Sequence, residues 1–142
     1  IGLLVYDYLI PEQFDQFLAT TDFNDPDQPL EALEKNFFGI SHSELGAAYL
    51  KEWWPVSPKI VEATQAHGGP GLEKDQTPNL ACLVSTANRI ANKYGLDHPF
   101  ETGLHQAADE NYLETLKMSK QEMDELVDWA QIGVLAAESV LE

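Results

Sequence analysis

This chain has little positive charge, a single cysteine and no strand signature. Eight Lys plus Arg stand against 24 Asp plus Glu, a formal charge of -16, and Arg89 is the only arginine. A surface that negative repels nucleic acid and anionic lipid, so binding built on phosphate neutralisation is excluded. Arg is also the residue whose planar fork grips phosphate oxygens in pairs. A phosphorylated ligand would need a metal ion, helix N-termini or the few lysines. The lone cysteine, Cys82, excludes an intramolecular disulfide and fits a reducing, cytoplasmic setting. It lies in Leu80-Ala81-Cys82-Leu83-Val84 with no cation beside it, which reads as a small core residue rather than a reactive thiol. No apolar run is long enough to cross a bilayer, and no signal peptide is visible. Walker loop, nucleophile elbow, dinucleotide fingerprint, His-Glu-x-x-His and Cys-x-x-Cys are all missing. Gly68-Gly69-Pro70-Gly71 has no strand before it and no lysine after it, so it reads as a helix stop.

What is present is helical. Hydrophobic residues make up 44% of 142 residues and charged ones only 23%, enough apolar surface for one core and too little charge for bulk disorder. With no hairpin dipeptide and no period-two alternation, the expected fold class is all-α, one multi-helix domain over residues 1–142 with seven or so helices. Pro11 is expected to split the first segment into two helices. Phe14, Phe17 and Leu18 share a face of the second. Pro29 opens the next, whose stripe is Leu30, Leu33 and Phe37. Ser41-His42-Ser43-Glu44 is a capping box leading a helix with Leu45, Ala48, Tyr49 and Trp53 to one side, ended by Pro55. Ser57-Pro58 and Thr77-Pro78 are two further starts. Leu80, Leu83, Val84, Ala87, Ile90, Ala91 and Tyr94 make the clearest buried stripe, stopped by Gly95. A helix around Asn111 to Leu116 precedes a second capping box, Ser119 with Glu122. Met123, Val127, Ala130, Val134, Ala137 and Leu141 then form one stripe at alternating spacings of four and three. That stripe is expected to dock on the chain's own core, with a homodimer seam as the other reading. Ile1 starts inside an apolar run, which suggests residues upstream, and Leu141-Glu142 resembles a cloning remnant.

Four histidines are the candidates for chemistry. His98, before Pro99, and His105 read as surface or packing residues. His42 lies at a helix start and His67 in the last turn of the next helix, and antiparallel packing brings those two ends together. Two imidazoles at converging helix ends can begin a metal site, but a site needs three or four ligands and no acid stands at a ligand spacing from them. His67 at a helix C-terminus also has a plain electrostatic reading.

The run Phe38-Gly39-Ile40-Ser41-His42-Ser43-Glu44-Leu45-Gly46-Ala47-Ala48-Tyr49-Leu50-Lys51-Glu52-Trp53 resembles the centre of HDOD domains, bacterial signalling domains related to the HD and HD-GYP phosphohydrolases. Ile60-Val61-Glu62-Ala63 leading to His67 is similar to that family's following helix, and Leu83 through Ala91, with Ala87-Asn88, to the next. Ile1-Gly2-Leu3-Leu4 would follow the family's His-Asp pair, which would lie before Ile1. The resemblance implies an HD-type fold with His42 as a metal ligand. It also shows departures: His67-Gly68-Gly69 stands where the enzymes have two histidines and an acid, and Asn88 where they have Asp. A neutral amide is a poor ligand for a hard metal. The resemblance therefore implies a non-catalytic signal-transduction domain that acts on a protein partner or fused domain. His42 and His67 would be vestigial metal candidates, and no cofactor is expected. The alternative is a metal-dependent phosphohydrolase using a divalent ion.

Overall fold

Prolines, caps and glycines set the helix boundaries. The computed structural model describes residues 1–23, 28–69, 77–96 and 111–141, and within them the chain is all-α, with eight helices and no strand. The predicted residues His98 and His105 lie outside the described residues. Helix α1 (Gly2–Leu9) gives way at Ile10 to α2 (Pro11–Thr20), whose first position is the proline. Helix α3 (Leu30–Phe38) starts one residue later than expected, with Pro29 in extended backbone as its cap. It stops at Gly39, whose φ of 81° only glycine adopts freely. Helix α4 (His42–Trp53) carries the full capping box, and α5 (Pro58–Ala66) begins on its proline. Helix α6 (Leu80–Lys93) begins beyond the predicted Thr77-Pro78 start. The Asn79 side chain accepts the Cys82 N–H at 2.9 Å, a stronger cap than the threonine before a proline. Gly95, at φ 68°, ends it, and the Leu96 N–H reaches back to the Ala91 carbonyl at 2.9 Å. Helices α7 (Asn111–Leu116) and α8 (Lys120–Leu141) follow, with the Ser119–Glu122 box formed at the start of α8.

The capping boxes make the chain acid-sensitive. The Ser41 N–H donates to Glu44 Oε2 at 3.1 Å and the Lys35 ammonium lies 3.0 Å from Glu44 Oε1. Both hold the Glu44 carboxyl below its ordinary 4.5, the backbone bond most, and Ser119 does the same for Glu122. A depressed carboxyl stabilises fully above its unfolded value, and the contribution is lost as pH falls through the folded value. Urea midpoints are therefore expected to decline as pH drops below 4.5, the ordinary carboxyl value, and Glu44→Gln with Glu122→Gln should flatten that slope.

Two kinds of contact assemble the helices. One is bulky: Tyr6, Phe14, Phe17 and Leu30 form a buried cluster, with the Phe38 ring 4.3 Å from Tyr6 and 5.0 Å from Phe17. Each such side chain contributes about 1.5–3 kcal/mol of burial. The Tyr6 hydroxyl donates to the Ile40 carbonyl at 2.6 Å, and burial, with Glu34 and Glu44 nearby, pushes its phenol above the usual range. The other contact is between small residues. Helix α4 packs on α1, α3 and α5, and α5 on α6. A β-carbon on Gly2 would stand 1.8 Å from the His42 carbonyl oxygen, and one on Gly46 would stand 3.0 Å from the Gly2 nitrogen. The buried residues are His42, Ser43, Gly46, Ala47 and Leu50 on α4, Ala63 on α5, and Ala81, Ser85, Thr86 and Asn92 on α6.

This second kind of contact decides which side of α4 is covered and corrects the stripe expected on α6. On α4, Gly46 and Ala47 are buried, while Ala48 and Trp53 meet solvent. On α6, Leu80, Leu83, Val84 and Ala87 are exposed, and the buried face is the small polar one. Backbones this close leave no space for a leucine or a tryptophan between them, so the large apolar side chains turn outward. Cys82 is accordingly only half-buried. The α8 stripe divides as well. Met123 and Val127 are buried with Ile90, Tyr94, Leu113 and Met118 packed round them, whereas Val134 and Ala137 are exposed.

Candidate functional site

His42 and His67 meet, as the order of their helices suggests. Their Nε2 atoms are 3.1 Å apart and the ring planes lie at 67°. The capping box holds the start of α4 and so places His42, while the end of α5 places His67.

Each ring is anchored through its other nitrogen. His42 Nδ1 lies 2.7 Å from Glu34 Oε2, which also accepts the His42 backbone N–H at 2.8 Å. His67 Nδ1 lies 2.8 Å from the Thr64 carbonyl oxygen, which can only accept, so Nδ1 carries the proton. Hydrogen-bond logic then directs both Nε2 lone pairs at each other. Two facing lone pairs repel, and the space between them suits a hydrogen-bond donor or a cation.

A metal ion fits the two nitrogens and finds no third ligand. Imidazole nitrogens about 2.0–2.1 Å from one ion at a tetrahedral angle are about 3.3 Å apart, close to what is seen here, and a carboxylate behind a ligating histidine is the usual support. Among the described residues, however, no group of three His, Cys, Asp or Glu is arranged to hold an ion. Asn88 donates from Nδ2 to the His67 carbonyl at 3.4 Å, and its amide oxygen is a neutral group and a poor substitute for a carboxylate. These residues do not fit a two-metal hydrolytic centre.

Sequence reasoning missed the acids around the pair. Glu34 is 0% exposed, and its Oε1 has no hydrogen-bond partner among the described residues. One turn earlier, Glu31 Oε1 accepts from the Ser43 hydroxyl, which lies 2.9 Å from that of Ser41. The signal was present in the sequence: Glu34 falls four residues after Leu30 and three before Phe37, on the stripe assigned to the core. A carboxylate there points inward and needs a partner.

Helices α1 and α4 also build an apolar groove. Ile1, Leu4, Val5, Tyr8, Tyr49 and Trp54 line a space of about 220 Å³. Tyr8 is 83% exposed, Leu4 71% and the adjoining Trp53 72%. No described helix is long and apolar enough to cross a membrane. No family model, curated protein or solved structure matches this chain.

Proposed function

We propose that this chain is a non-catalytic regulatory domain of bacterial cytoplasmic signalling that works by binding a protein partner or fused domain in the α1–α4 groove. The observation that carries the reading is the groove itself. Its walls are apolar, concave and in several places more than half exposed, the mark of an interaction surface. Its volume is below the roughly 300–1,000 Å³ of small-molecule pockets and suits one or two inserted side chains. The acidic surface favours a basic partner over nucleic acid or an anionic membrane. The likeness of residues 38–53 to HDOD domains, with Asn88 in place of an acid, supports a signalling role without hydrolysis.

One observation favours a second reading, a metal-dependent phosphohydrolase: the 3.1 Å approach of two anchored imidazoles. A single experiment separates the two. The protein is assayed with Mn²⁺ on bis-p-nitrophenyl phosphate and on a cyclic dinucleotide, and its metal content is measured by elemental mass spectrometry. The regulatory reading expects no turnover above the metal-only blank and no difference for His42→Ala. Turnover abolished by His42→Ala, with about one or more metal ions per chain, would establish the hydrolase instead.

A further inference from the structure

The C-terminal half of α8 projects a face that its own chain does not use. Residues 131–137 are all exposed, with Ile132 and Leu135 each at 65%, and Trp129 before them is 75% exposed. Helical spacing places Leu126, Trp129, Gly133 and Ala136 on one stripe, at intervals of three, four and three. It runs beside the Met123–Val127 stripe that docks on the core, and it faces solvent along its whole length.

Three observations say what covers it. First, residues 129–137 contain no charged side chain. On a chain of charge -16 this is a stretch where a second copy approaches without setting carboxylate against carboxylate. Second, Gly133 stands in a helix interior, where glycine costs about 1 kcal/mol against alanine. Gly2 and Gly46 are glycine because neighbouring backbone leaves no room, but a β-carbon at Gly133 would meet nothing within 4 Å. The described residues give no reason for the missing side chain, whereas a close approach by another helix does. Third, the stripe is self-complementary. An antiparallel two-fold centred on Gln131 sets Trp129 opposite Gly133 and Leu126 opposite Ala136, large against small in both halves, as an isologous pair requires. On the same centre, Glu125 falls opposite Ala137 and Asp128 opposite Val134, and the one acid–acid match, Asp124 with Glu138, lies by helical spacing on the far side of the helix from the stripe.

We propose that α8 pairs antiparallel with α8 of a second copy of this chain, Trp129 of each copy covering Gly133 of the other. The seam differs from the predicted homodimer stripe, part of which is spent on the core. It lies apart from the α1–α4 groove and does not depend on the function proposed for that groove. Four residues per copy make a small interface, so the association is reversible and concentration-dependent.

Sedimentation equilibrium between about 5 µM and about 1 mM tests it. A monomer–dimer equilibrium is expected, weakened about thirtyfold or more by Trp129→Gly or Trp129→Glu, the loss typical of a central aromatic anchor. Gly133→Trp alone should also give monomer, because two large residues then oppose each other. The exchange W129G/G133W should restore the dimer, since the antiparallel register again sets large against small. Far-UV circular dichroism checks that each variant remains helical. A monomer at every concentration, or a dimer that survives Trp129→Gly, overturns the proposal. A double variant that stays monomeric overturns the register. Tyr8→Asp, in the α1–α4 groove, is the control and is expected to leave the monomer–dimer equilibrium unchanged.

Discussion

Replacing Glu34 with leucine is expected to destabilise the chain by several kcal/mol, about 1–3 kcal/mol for each of the two buried donors left without an acceptor. Glu34 Oε2 is the acceptor for both the backbone N–H and the Nδ1 of His42, and the carboxylate is fully enclosed. Leucine fills comparable volume but strands two donors at the start of α4. Glu34→Gln keeps an amide oxygen for the backbone N–H and is expected to recover part of the loss. The informative comparison is a double-mutant cycle. If the pair acts as a unit, Glu34→Leu combined with His42→Leu costs less than the sum of the single changes, by about 1–3 kcal/mol. Denaturant midpoints for the four proteins give that coupling directly. Additive costs would mean that Glu34 stabilises α3 without acting through the imidazole. The Nε2–Nε2 contact with His67 would then need another cause for its orientation.

Gly46→Leu is the second large effect, expected to cost about 1–3 kcal/mol or more through overpacking. The first atom of any side chain at this position lies 3.0 Å from the backbone nitrogen of Gly2 and 3.5 Å from Thr64 Cγ2. Neither helix can give way by changing a rotamer, because the nearest obstacle is main chain. The expected response is that α1 lifts from α4. Those helices are the two walls of the apolar groove, so Tyr49 and Trp54 should become more solvated as well. A red-shifted tryptophan emission with unchanged far-UV circular dichroism would report that separation. Gly46→Ala should show a smaller version of both changes. A leucine variant as stable as the parent would show that the α1–α4 crossing is loose, and with it the groove's shape.

The local grammar of the chain was legible because each signal acts within a few residues. Ser41 with Glu44 and Ser119 with Glu122 satisfy orphan amides that lie three residues away. Pro11 and Gly95 act on their own dihedrals. The meeting of His42 and His67 was also legible, since a short turn between two helices sets the start of one beside the end of the next. Glu34 stood on the α3 core stripe, but its partner His42 lies on another helix, and the spacing of α3 does not name that partner. Asn79 was missed in favour of Thr77-Pro78 because two start signals two residues apart compete, and the side-chain bond to Cys82 decides between them.

Helix positions, caps and the acidic surface were thus determined by the sequence alone, since each depends on groups adjacent along the chain. Which face of each helix is buried was decided only by tertiary structure. Apolar periodicity marks a helix face that prefers to leave water, but two faces of α4 and α6 qualified: a bulky one and a small one. Glycine, alanine and serine allow backbones to approach until a β-carbon has no room, and such contacts gain close packing along whole helices. The bulky faces were left over. Trp54 and Tyr8 therefore line a groove, and Leu83 and Val84 meet solvent. Trp129 likewise stands on the uncovered side of α8, because Met123 and Val127 had already taken the core.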